Sequence, residues 1–227
     1  MLKPQAPATG IVIATSNSID RCGSQQVWQQ ELAEAISSIS ELLDFVGLRQ
    51  HAGLQRYNSA QSATAGADHS ATMEPTTFPL RVTRAFAQRI VKGDANDPLL
   101  LQVLPQALEG ATVAGYSRQP LDEDNFQQGA GILQKYQGRA LLIVTGLCAI
   151  HCRYCFRQHF PYQSHQHSRS QWHQALASIR ADNSITEVIL SGGDPLALND
   201  QYLGGLIDHI AQISHIDTLR IHSRIPI

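Results

Sequence analysis

The chain is organised around the stretch Cys148-Ala-Ile-His-Cys-Arg-Tyr-Cys155, in which three cysteines fall within eight residues. The chain has four cysteines in all, and the fourth, Cys22, lies in a separate N-terminal segment. The main physical use of clustered thiolates is to surround one soft metal centre. A zinc site normally closes with four ligands, whereas three cysteines on a [4Fe–4S] cluster leave one iron open to a small molecule. The spacing of Cys148, Cys152 and Cys155 therefore favours a cluster at which chemistry takes place.

A structural zinc site is the alternative interpretation of these cysteines, because a nearby histidine would supply the fourth ligand. The histidines that could do so are His151, His159, His165 and His167. Cysteines used only for packing have no reason to cluster. A disulfide framework is disfavoured because cysteines are few and no secretory leader is seen.

Composition excludes several classes of protein. The 227 residues include 43% hydrophobic side chains, enough for a real core, and the net charge is −2 without a basic block. Neither nucleic acid nor a membrane surface is therefore an expected partner. The apolar run at residues 11–14 is far shorter than the roughly 20 residues of a membrane span, and it lacks the features of a signal peptide. A cytoplasmic location is predicted, which also suits reduced thiols.

The N-terminal half has the pattern of helices joined by irregular segments. Residues 24–46 are predicted to form one helix, because apolar side chains recur at helical spacing behind a capping Ser24. Residues 59–77 are rich in Ala, Ser, Thr and Gly, which is typical of a flexible linker or insertion. Two further helices are expected over residues 79–93 and 97–104.

From residue 139 the pattern changes to alternating strands and helices. Strands are predicted at residues 140–145, 187–190 and 218–222, with helices at 170–180 and 199–213. Such alternation implies parallel βα units. The cysteine stretch and a Gly-Gly-Asp motif each follow directly after a predicted strand. In βα barrels that edge carries the active site, so both motifs stand where chemistry is expected.

Three longer stretches carry a family resemblance. They are Cys152-Arg-Tyr-Cys-Phe-Arg-Gln-His-Phe-Pro-Tyr162, Ser191-Gly-Gly-Asp-Pro-Leu196 and Arg220-Ile-His-Ser-Arg-Ile-Pro226. With the CxxxCxxC spacing, they resemble the lysine 2,3-aminomutase family of radical S-adenosylmethionine (SAM) enzymes. Within that family the chain is most similar to the branch that makes β-lysine for modifying translation elongation factor P. The resemblance runs from about residue 78 to residue 227, with a weaker echo at residues 28–43.

The resemblance implies three cofactors. The cysteines would hold a [4Fe–4S] cluster whose open iron chelates the amino and carboxylate groups of SAM, and one-electron reduction would then release a 5′-deoxyadenosyl radical. Pyridoxal 5′-phosphate (PLP) would carry the migrating amino group while α-lysine becomes β-lysine. The cofactors supply this chemistry, and the protein orients and shields it. An electron donor for the cluster, elongation factor P and its ligase are the implied partners.

The resemblance also assigns roles to individual residues. Those implied to bind SAM are Tyr154, Gly192, Gly193, Asp194, Ser223 and Arg224. The two glycines would let backbone approach the methionine end of SAM, Asp194 would accept a hydrogen bond from its ammonium group, and Tyr154 would either contact the adenine or simply pack. Those implied to bind the PLP phosphate are Lys135, Tyr136 and Arg139. Lys135 replaces an arginine of the lysine-degrading enzymes, so bidentate phosphate binding is not expected there.

Arg157 matches the family arginine that binds the substrate carboxylate, and the alternative is a solvated charge beside the cluster. The implied fold is α/β, a partial radical SAM βα barrel of parallel strands with an N-terminal helical extension. Because the chain stops just after the third predicted strand, the barrel is expected to be truncated. The predicted organisation is an N-terminal helical segment at 1–57, a flexible linker at 58–77, a helical and irregular lead-in that wraps the barrel at 78–138, and the first βα units at 139–227.

Lysine usage bears on activity, because PLP needs a lysine amine for its Schiff base. The chain has three lysines, Lys3, Lys92 and Lys135, and the resemblance places the Schiff-base lysine in a late segment that none of them matches. We therefore expect this chain to assemble the cluster without making β-lysine. The alternatives are a radical SAM enzyme of another reaction type, a zinc-binding structural module and an inactive remnant.

Overall fold

The computed structural model of the protein describes residues 21–54, 79–106, 109, 114–117, 119–129, 131–160, 162 and 169–225. The predicted linker at residues 58–77 lies outside these ranges. The described chain contains a helical region, residues 21–104, and a sheet region, residues 132–221. Each region has its own buried hydrophobic core.

The sheet region contains four strands, β1 (Ile132–Tyr136), β2 (Arg139–Thr145), β3 (Glu187–Gly192) and β4 (Thr218–Ile221), in the spatial order β1-β2-β3-β4. β2 pairs in parallel with β3, and β3 pairs in parallel with β4. Two helices make the crossovers between these parallel strands. The first is Arg169–Ala181 and the second is Asp200–Ala211. The predicted strands and helices of this region are therefore confirmed, with β3 extending two residues further than expected.

Burial explains why these elements form. All six residues of β3 are buried, as expected for a strand covered on both faces. The second crossover helix begins at a capping Asn199, whose side chain accepts a hydrogen bond from the Tyr202 N–H at 2.8 Å. Both helices pack one apolar stripe against β2 and β3. The buried residues of this core are Ile132, Ala140, Leu142, Val144, Trp172, Ala175, Leu176, Ile179, Ile185, Val188, Leu190, Leu203, Leu206, Ile210 and Ile213.

The sheet contains one antiparallel strand in addition to the predicted parallel strands. β1, which the sequence analysis did not identify, pairs antiparallel with β2 across a two-residue turn. Gly138 in that turn has φ +80°, a conformation that favours glycine. Ile132 lies opposite Leu142 and Leu133 opposite Leu141, and both residues of β1 are buried. The described residues thus form an open, mostly parallel four-stranded α/β sheet.

The helical region corrects a second prediction. Residues 24–46 form two helices, α1 (Arg21–Ala33) and α2 (Ile39–Phe45), and the single long helix is wrong. Between them, Ile36 makes an antiparallel bridge with Val82, with N–H to O distances of 2.8 and 2.9 Å. Because the partner lies far along the chain, helical periodicity did not reveal the break.

The bridge also shortens the next predicted helix. Residues near Val82 are extended, and only α3 (Arg84–Ala87) is helical within residues 79–93. The helix expected over residues 97–104 is confirmed as α4 (Pro98–Val103), capped by Asp97. The Asp97 carboxylate accepts hydrogen bonds from the N–H groups of Leu99 at 2.8 Å and Leu100 at 3.0 Å. In chain order the two crossover helices are hereafter α5 (Arg169–Ala181) and α6 (Asp200–Ala211).

Short 3-10 helices occupy Ala52–Leu54, Glu123–Phe126 and Pro195–Ala197. The second contacts β1 and the third follows β3. Within the described ranges, every helix is too short or too polar to cross a lipid bilayer.

Candidate functional site

The carboxyl ends of β2, β3 and β4 meet at one edge of the sheet, and the predicted motifs follow them. The cysteine loop, residues 146–160, follows β2, and the Gly-Gly-Asp motif ends β3 and begins the next loop. Residues 222–225 follow β4. The edge therefore assembles residues that are far apart in the sequence, as parallel strand topology requires.

The cysteine loop is bound to the helical region by the residues that lie between the cysteines. The His151 N–H donates to the Arg81 carbonyl at 2.9 Å, and the Arg153 N–H donates to the Gln102 carbonyl at 2.7 Å. The Arg81 side chain donates through Nε to the Cys148 carbonyl at 2.9 Å. Arg153 also donates to the Leu101 carbonyl at 2.9 Å and pairs with a glutamate, Glu109. The backbone of the loop is thus fixed from the helical side.

His151 was one of the histidines considered as a zinc ligand. Its Nδ1 lies 2.7 Å from the Pro79 carbonyl oxygen, and burial lowers its pKa. His151 therefore helps to attach the cysteine loop to the helical region. His165 and His167 lie outside the described residues.

The three cysteines are free thiols that are partly buried. Burial raises the pKa of Cys148 to about 12, and the negative charges of Cys155, Asp194 and Cys152 add to the rise. Burial likewise raises the pKa of Cys155. The Asp194 N–H donates to the carbonyl of Leu147, the residue before Cys148, at 2.7 Å, and the Cys155 N–H donates to the Cys152 carbonyl at 3.0 Å. A metal that binds here has to displace protons from the thiols.

No three His, Cys, Asp or Glu side chains in the described part of the chain converge as a ready-made metal site. The donor set itself fits an iron–sulfur cluster, since three free thiols lie on one loop at the end of a strand. The side chain of Cys22 lies outside what the structure describes.

The glycines of the Gly-Gly-Asp motif allow two loops to touch. A Cβ on Gly192, which has φ +124°, would lie 2.3 Å from the Thr145 carbonyl oxygen, and one on Gly193 would lie 2.2 Å from that of Leu147. The Gly193 and Asp194 N–H groups donate to these same carbonyls, each at 2.7 Å. The glycines are therefore needed to seat the loop after β3 against the start of the cysteine loop.

Asp194 joins the ends of β3 and β4. Its buried carboxylate accepts hydrogen bonds from the Ser223 hydroxyl at 2.7 Å and from the Arg224 N–H at 2.7 Å. It also accepts from the N–H groups of Leu196 at 3.0 Å and Ile225 at 3.2 Å. With four donors, most of its acceptor capacity is used. The structure thus brings Asp194, Ser223 and Arg224 together.

The Arg224 side chain reaches from β4 to the cysteine loop. Its Nη1 lies 3.3 Å from the Cys152 sulfur, and its Nη2 donates to the Tyr154 hydroxyl at 2.6 Å. The Tyr154 hydroxyl in turn donates to Oε1 of Gln102 at 3.3 Å. Tyr154 remains 55% exposed, so its ring lies at the open surface of the site.

Arg157 is buried, with 5% of its surface exposed. Its Nε lies 3.0 and 2.9 Å from the two carboxylate oxygens of Glu123, and its Nη2 donates to Glu123 at 2.7 Å. Its Nη1 donates to the Ser191 hydroxyl at 2.9 Å. The alternative of a solvated charge is therefore wrong, because a carboxylate and a hydroxyl hold the guanidinium in place.

Sequence reasoning missed two residues at this edge. Glu123 lies 34 residues before Arg157 and carried no motif. Tyr162 donates from its hydroxyl to the Gly192 carbonyl at 2.9 Å, and burial raises its pKa. A shallow depression that is open to solvent lies beside Arg157, and Glu123, Phe156 and His159 contribute to its walls.

The residues assigned to the PLP phosphate lie at the other end of the sheet. Arg139 begins β2, and the seven residues of that strand separate it by about 20 Å from the cysteine loop. Arg139 pairs with Glu187 at 2.8 Å and lies over the Tyr136 ring. Lys135 lies over the Phe126 ring, with its Nζ 5.1 Å from the centroid. These three residues are neighbours of one another and are separate from the cysteine edge.

Comparison with known proteins gives a consistent result. Residues 128–221 match a family described as a 4Fe-4S single cluster domain. The chain is 40% identical over 204 residues to L-lysine 2,3-aminomutase of Escherichia coli (strain K12), which covers 90% of this chain and 55% of that protein. It is 46% identical over 150 residues to the protein of that name from Haemophilus influenzae, covering 66% of this chain and 44% of the relative. The corresponding Clostridium subterminale protein is 28% identical over 201 residues, or 88% and 45% of the two chains. The chain thus spans about half the length of the curated relatives it matches.

Proposed function

The chain belongs to the radical SAM lysine 2,3-aminomutase-like family, and we propose that its function is that of an isomerase that converts α-lysine to β-lysine. The observation that carries the proposal is the similarity over 90% of the chain to a lysine 2,3-aminomutase. The cysteine loop at the carboxyl end of a parallel strand supports it, because that is where a βα fold builds its active site. The barrel form of the fold is part of the proposal.

Cys148, Cys152 and Cys155 would hold the [4Fe–4S] cluster. When bound and reduced, the cluster supplies the electron that cleaves SAM. The chain itself positions the three thiolates by anchoring the loop backbone to the carbonyls of Arg81 and Gln102. The partly buried position of the thiols limits contact with water.

The SAM side of the proposal centres on the turn after β4. We assign SAM binding to Tyr154, Gly192, Gly193, Asp194, Ser223 and Arg224. The contacts of Asp194 support a role in organising Ser223 and Arg224, in addition to any contact with the SAM ammonium group. The exposed ring of Tyr154 offers an apolar face beside the cysteines.

Arg157 is proposed to bind the carboxylate of lysine. Its buried guanidinium lies beside an open depression at the cysteine edge, which supports recognition of a small anionic group. Glu123 accepts from Nε and Nη2, and Ser191 accepts from Nη1, so a substrate carboxylate would share Nη1 with Ser191 or exchange with Glu123.

PLP, a cytoplasmic location, and a role for β-lysine in modifying elongation factor P through its ligase are the parts of the proposal that rest on family resemblance. Lys135, Tyr136 and Arg139 would bind the PLP phosphate. None of the three lysines matches the family's Schiff-base position, so we expect PLP and borohydride to give no stoichiometric pyridoxyl-lysine in this chain. A pyridoxyl-lysine at Lys135 together with β-lysine formation would overturn that expectation.

Iron content tests the central assignment. After anaerobic reconstitution, we expect the protein to be brown and to hold four irons per cluster, and Cys148→Ala, Cys152→Ala and Cys155→Ala each to lose iron. Cys22→Ala is the matched control and should retain it. Zinc without iron in the purified protein, or full iron retention by Cys152→Ala, would contradict the assignment and favour a structural zinc module.

SAM binding tests the second assignment. Asp194→Ala should weaken SAM binding measured by calorimetry while iron content stays unchanged, because the carboxylate organises the SAM-side turn and binds no iron. Equal SAM affinity in both proteins would show that Asp194 acts only in folding. Formation of 5′-deoxyadenosine with dithionite and SAM would support radical SAM chemistry, and its absence from a fully loaded protein would count against it.

A further inference from the structure

Arg224 makes a contact that the proposed function does not use, since its Nη1 lies 3.3 Å from the sulfur of Cys152. We infer that Arg224 is a positioning residue that holds its positive charge beside the Cys152 sulfur. This charge would raise the reduction potential of a cluster bound there. The inference rests on the proposed function, because it requires Cys152 to be a cluster ligand. It goes beyond that proposal by assigning control of electron uptake by the cluster to Arg224, a residue in the loop that follows β4.

Arg224 is held in place through its backbone, its flanking residues and its guanidinium. The Arg224 backbone N–H donates to Asp194, and the flanking Ser223 hydroxyl and Ile225 N–H donate to the same carboxylate. At its far end, Nη2 donates to the Tyr154 hydroxyl at 2.6 Å. Exposed charge pairs usually contribute little because both side chains must be ordered. Here the backbone anchor and the tyrosine already order the side chain, so the contact with sulfur is pre-formed.

The chemistry gives the direction of the effect. A reduced cluster carries one more negative charge than the oxidised cluster, so a nearby cation and an N–H···S hydrogen bond stabilise the reduced form more. Hydrogen bonds to the sulfurs and local charge are recognised determinants of cluster potential. A guanidinium stays protonated at any working pH, so the effect does not depend on titration of Arg224.

Two other arginines near the loop differ in one respect, whereas Arg81 donates to the carbonyls of Cys148 and Leu32. Arg153 pairs with Glu109, and Arg157 pairs with Glu123. Among the ion pairs of the described residues, none uses the Arg224 guanidinium. Among the described residues its guanidinium therefore contacts the sulfur without a carboxylate paired to it, and Arg153 provides a matched control from within the cysteine motif.

The test measures the midpoint potential of the reconstituted cluster by EPR-monitored redox titration, with iron content as the check on assembly. Arg224→Met should shift the potential to more negative values, and Arg224→Lys, which keeps the charge without the planar fork, should lie between that variant and the unmodified protein. Arg153→Gln should shift the potential less than Arg224→Met. Tyr154→Phe, which removes one holding contact, should give a small negative shift.

An unchanged potential in Arg224→Met at full iron content would overturn the inference and leave the proposed cluster intact. An equal shift in Arg153→Gln would also overturn it, because the effect would then be one of general charge. If the unmodified protein took up no iron, the proposed function would fail first and the inference with it. If Arg224→Met loses iron, the Arg224→Lys and Tyr154→Phe variants still test the inference. A negative shift of the midpoint potential in these variants supports it, and the absence of a negative shift contradicts it.

Discussion

The cysteine loop has two neighbours, and they hold it by different means. On the helical side, the contacts run from loop donors and Arg81 to main-chain carbonyls, and they fix the path of the backbone. On the sheet side, glycines permit backbone contact, and Asp194 accepts a hydrogen bond from the backbone of Arg224, whose side chain reaches the Cys152 sulfur. The difference indicates that the helical side determines where the loop lies and the sheet side determines the surroundings of the thiols.

The largest expected effect comes from breaking the glycine contact on the sheet side. A Cβ at Gly193 would lie 2.2 Å from the Leu147 carbonyl oxygen, which belongs to backbone and cannot move aside cheaply. Gly193→Ala should therefore lower the free energy of unfolding by about 4 kcal/mol or more, or abolish folding. Urea unfolding measures the change. A midpoint equal to that of the unmodified protein would show that the two loops separate without cost.

The next effect concerns the buried charges at the same edge. Glu123→Ala leaves the Arg157 guanidinium buried without its carboxylate, which should cost about 3 kcal/mol of unfolding free energy. The double variant Glu123→Ala/Arg157→Leu should recover part of that loss, because no unpaired charge remains. Denaturant titration of the three proteins measures it. A double variant less stable than Glu123→Ala would mean that Arg157 is held mainly by Ser191.

A smaller effect is expected on the helical side. The hydrogen bond from the Val91 N–H, and then those from Leu100 and Leu99, hold the pKa of Asp97 below its usual range. Asp97→Ala removes this cap and should cost about 1 to 2 kcal/mol at neutral pH.

The pH dependence of the Asp97 effect follows from the direction of the shift. A carboxyl whose pKa is depressed in the folded state adds stability above its unfolded pKa of about 3.9, and that stability is lost as pH falls through the folded pKa. The difference in the free energy of unfolding between the unmodified protein and Asp97→Ala should therefore become smaller in acid. A gap independent of pH in urea unfolding would contradict the role of the ionised carboxylate.

The smallest effect has the opposite sign and serves as the control for Gly193. A Cβ on Gly204, within α6, would meet no atom within 4 Å. Gly204→Ala should stabilise the protein by about 0.5 to 1 kcal/mol, because alanine loses less backbone entropy in a helix. A raised urea midpoint is expected, and a lowered one would indicate crowding around α6.

The sheet region could be predicted from sequence because its signals are local. The buried run of β2 and the apolar stripe of α6, with its capping Asn199, each lie within a dozen or so neighbouring residues. In the helical region α4 could be predicted, but the first two helices could not, since the bridge between Ile36 and Val82 interrupts both predicted helices and depends on residues far apart in the chain. β1 escaped notice because its pattern is short and its inner end alone is buried.

The same reasoning applies to the candidate site. The cysteine spacing and the Gly-Gly-Asp motif are local and were found directly. The ion pair between Glu123 and Arg157 was not predicted, because the sequence near either residue does not indicate the other. The glycines were expected to admit a cofactor, whereas the structure adds a requirement inside the protein, the close approach of Thr145 and Leu147.

The junction made by Asp194 has a consequence for the order of events during synthesis. Arg224 and Ser223, which complete the sheet side of the site, leave the ribosome long after Cys155. At roughly 5–20 residues per second, the thiols emerge several seconds before the groups that border them. The thiols therefore pass through a period in which they are synthesised yet lack their sheet-side neighbours.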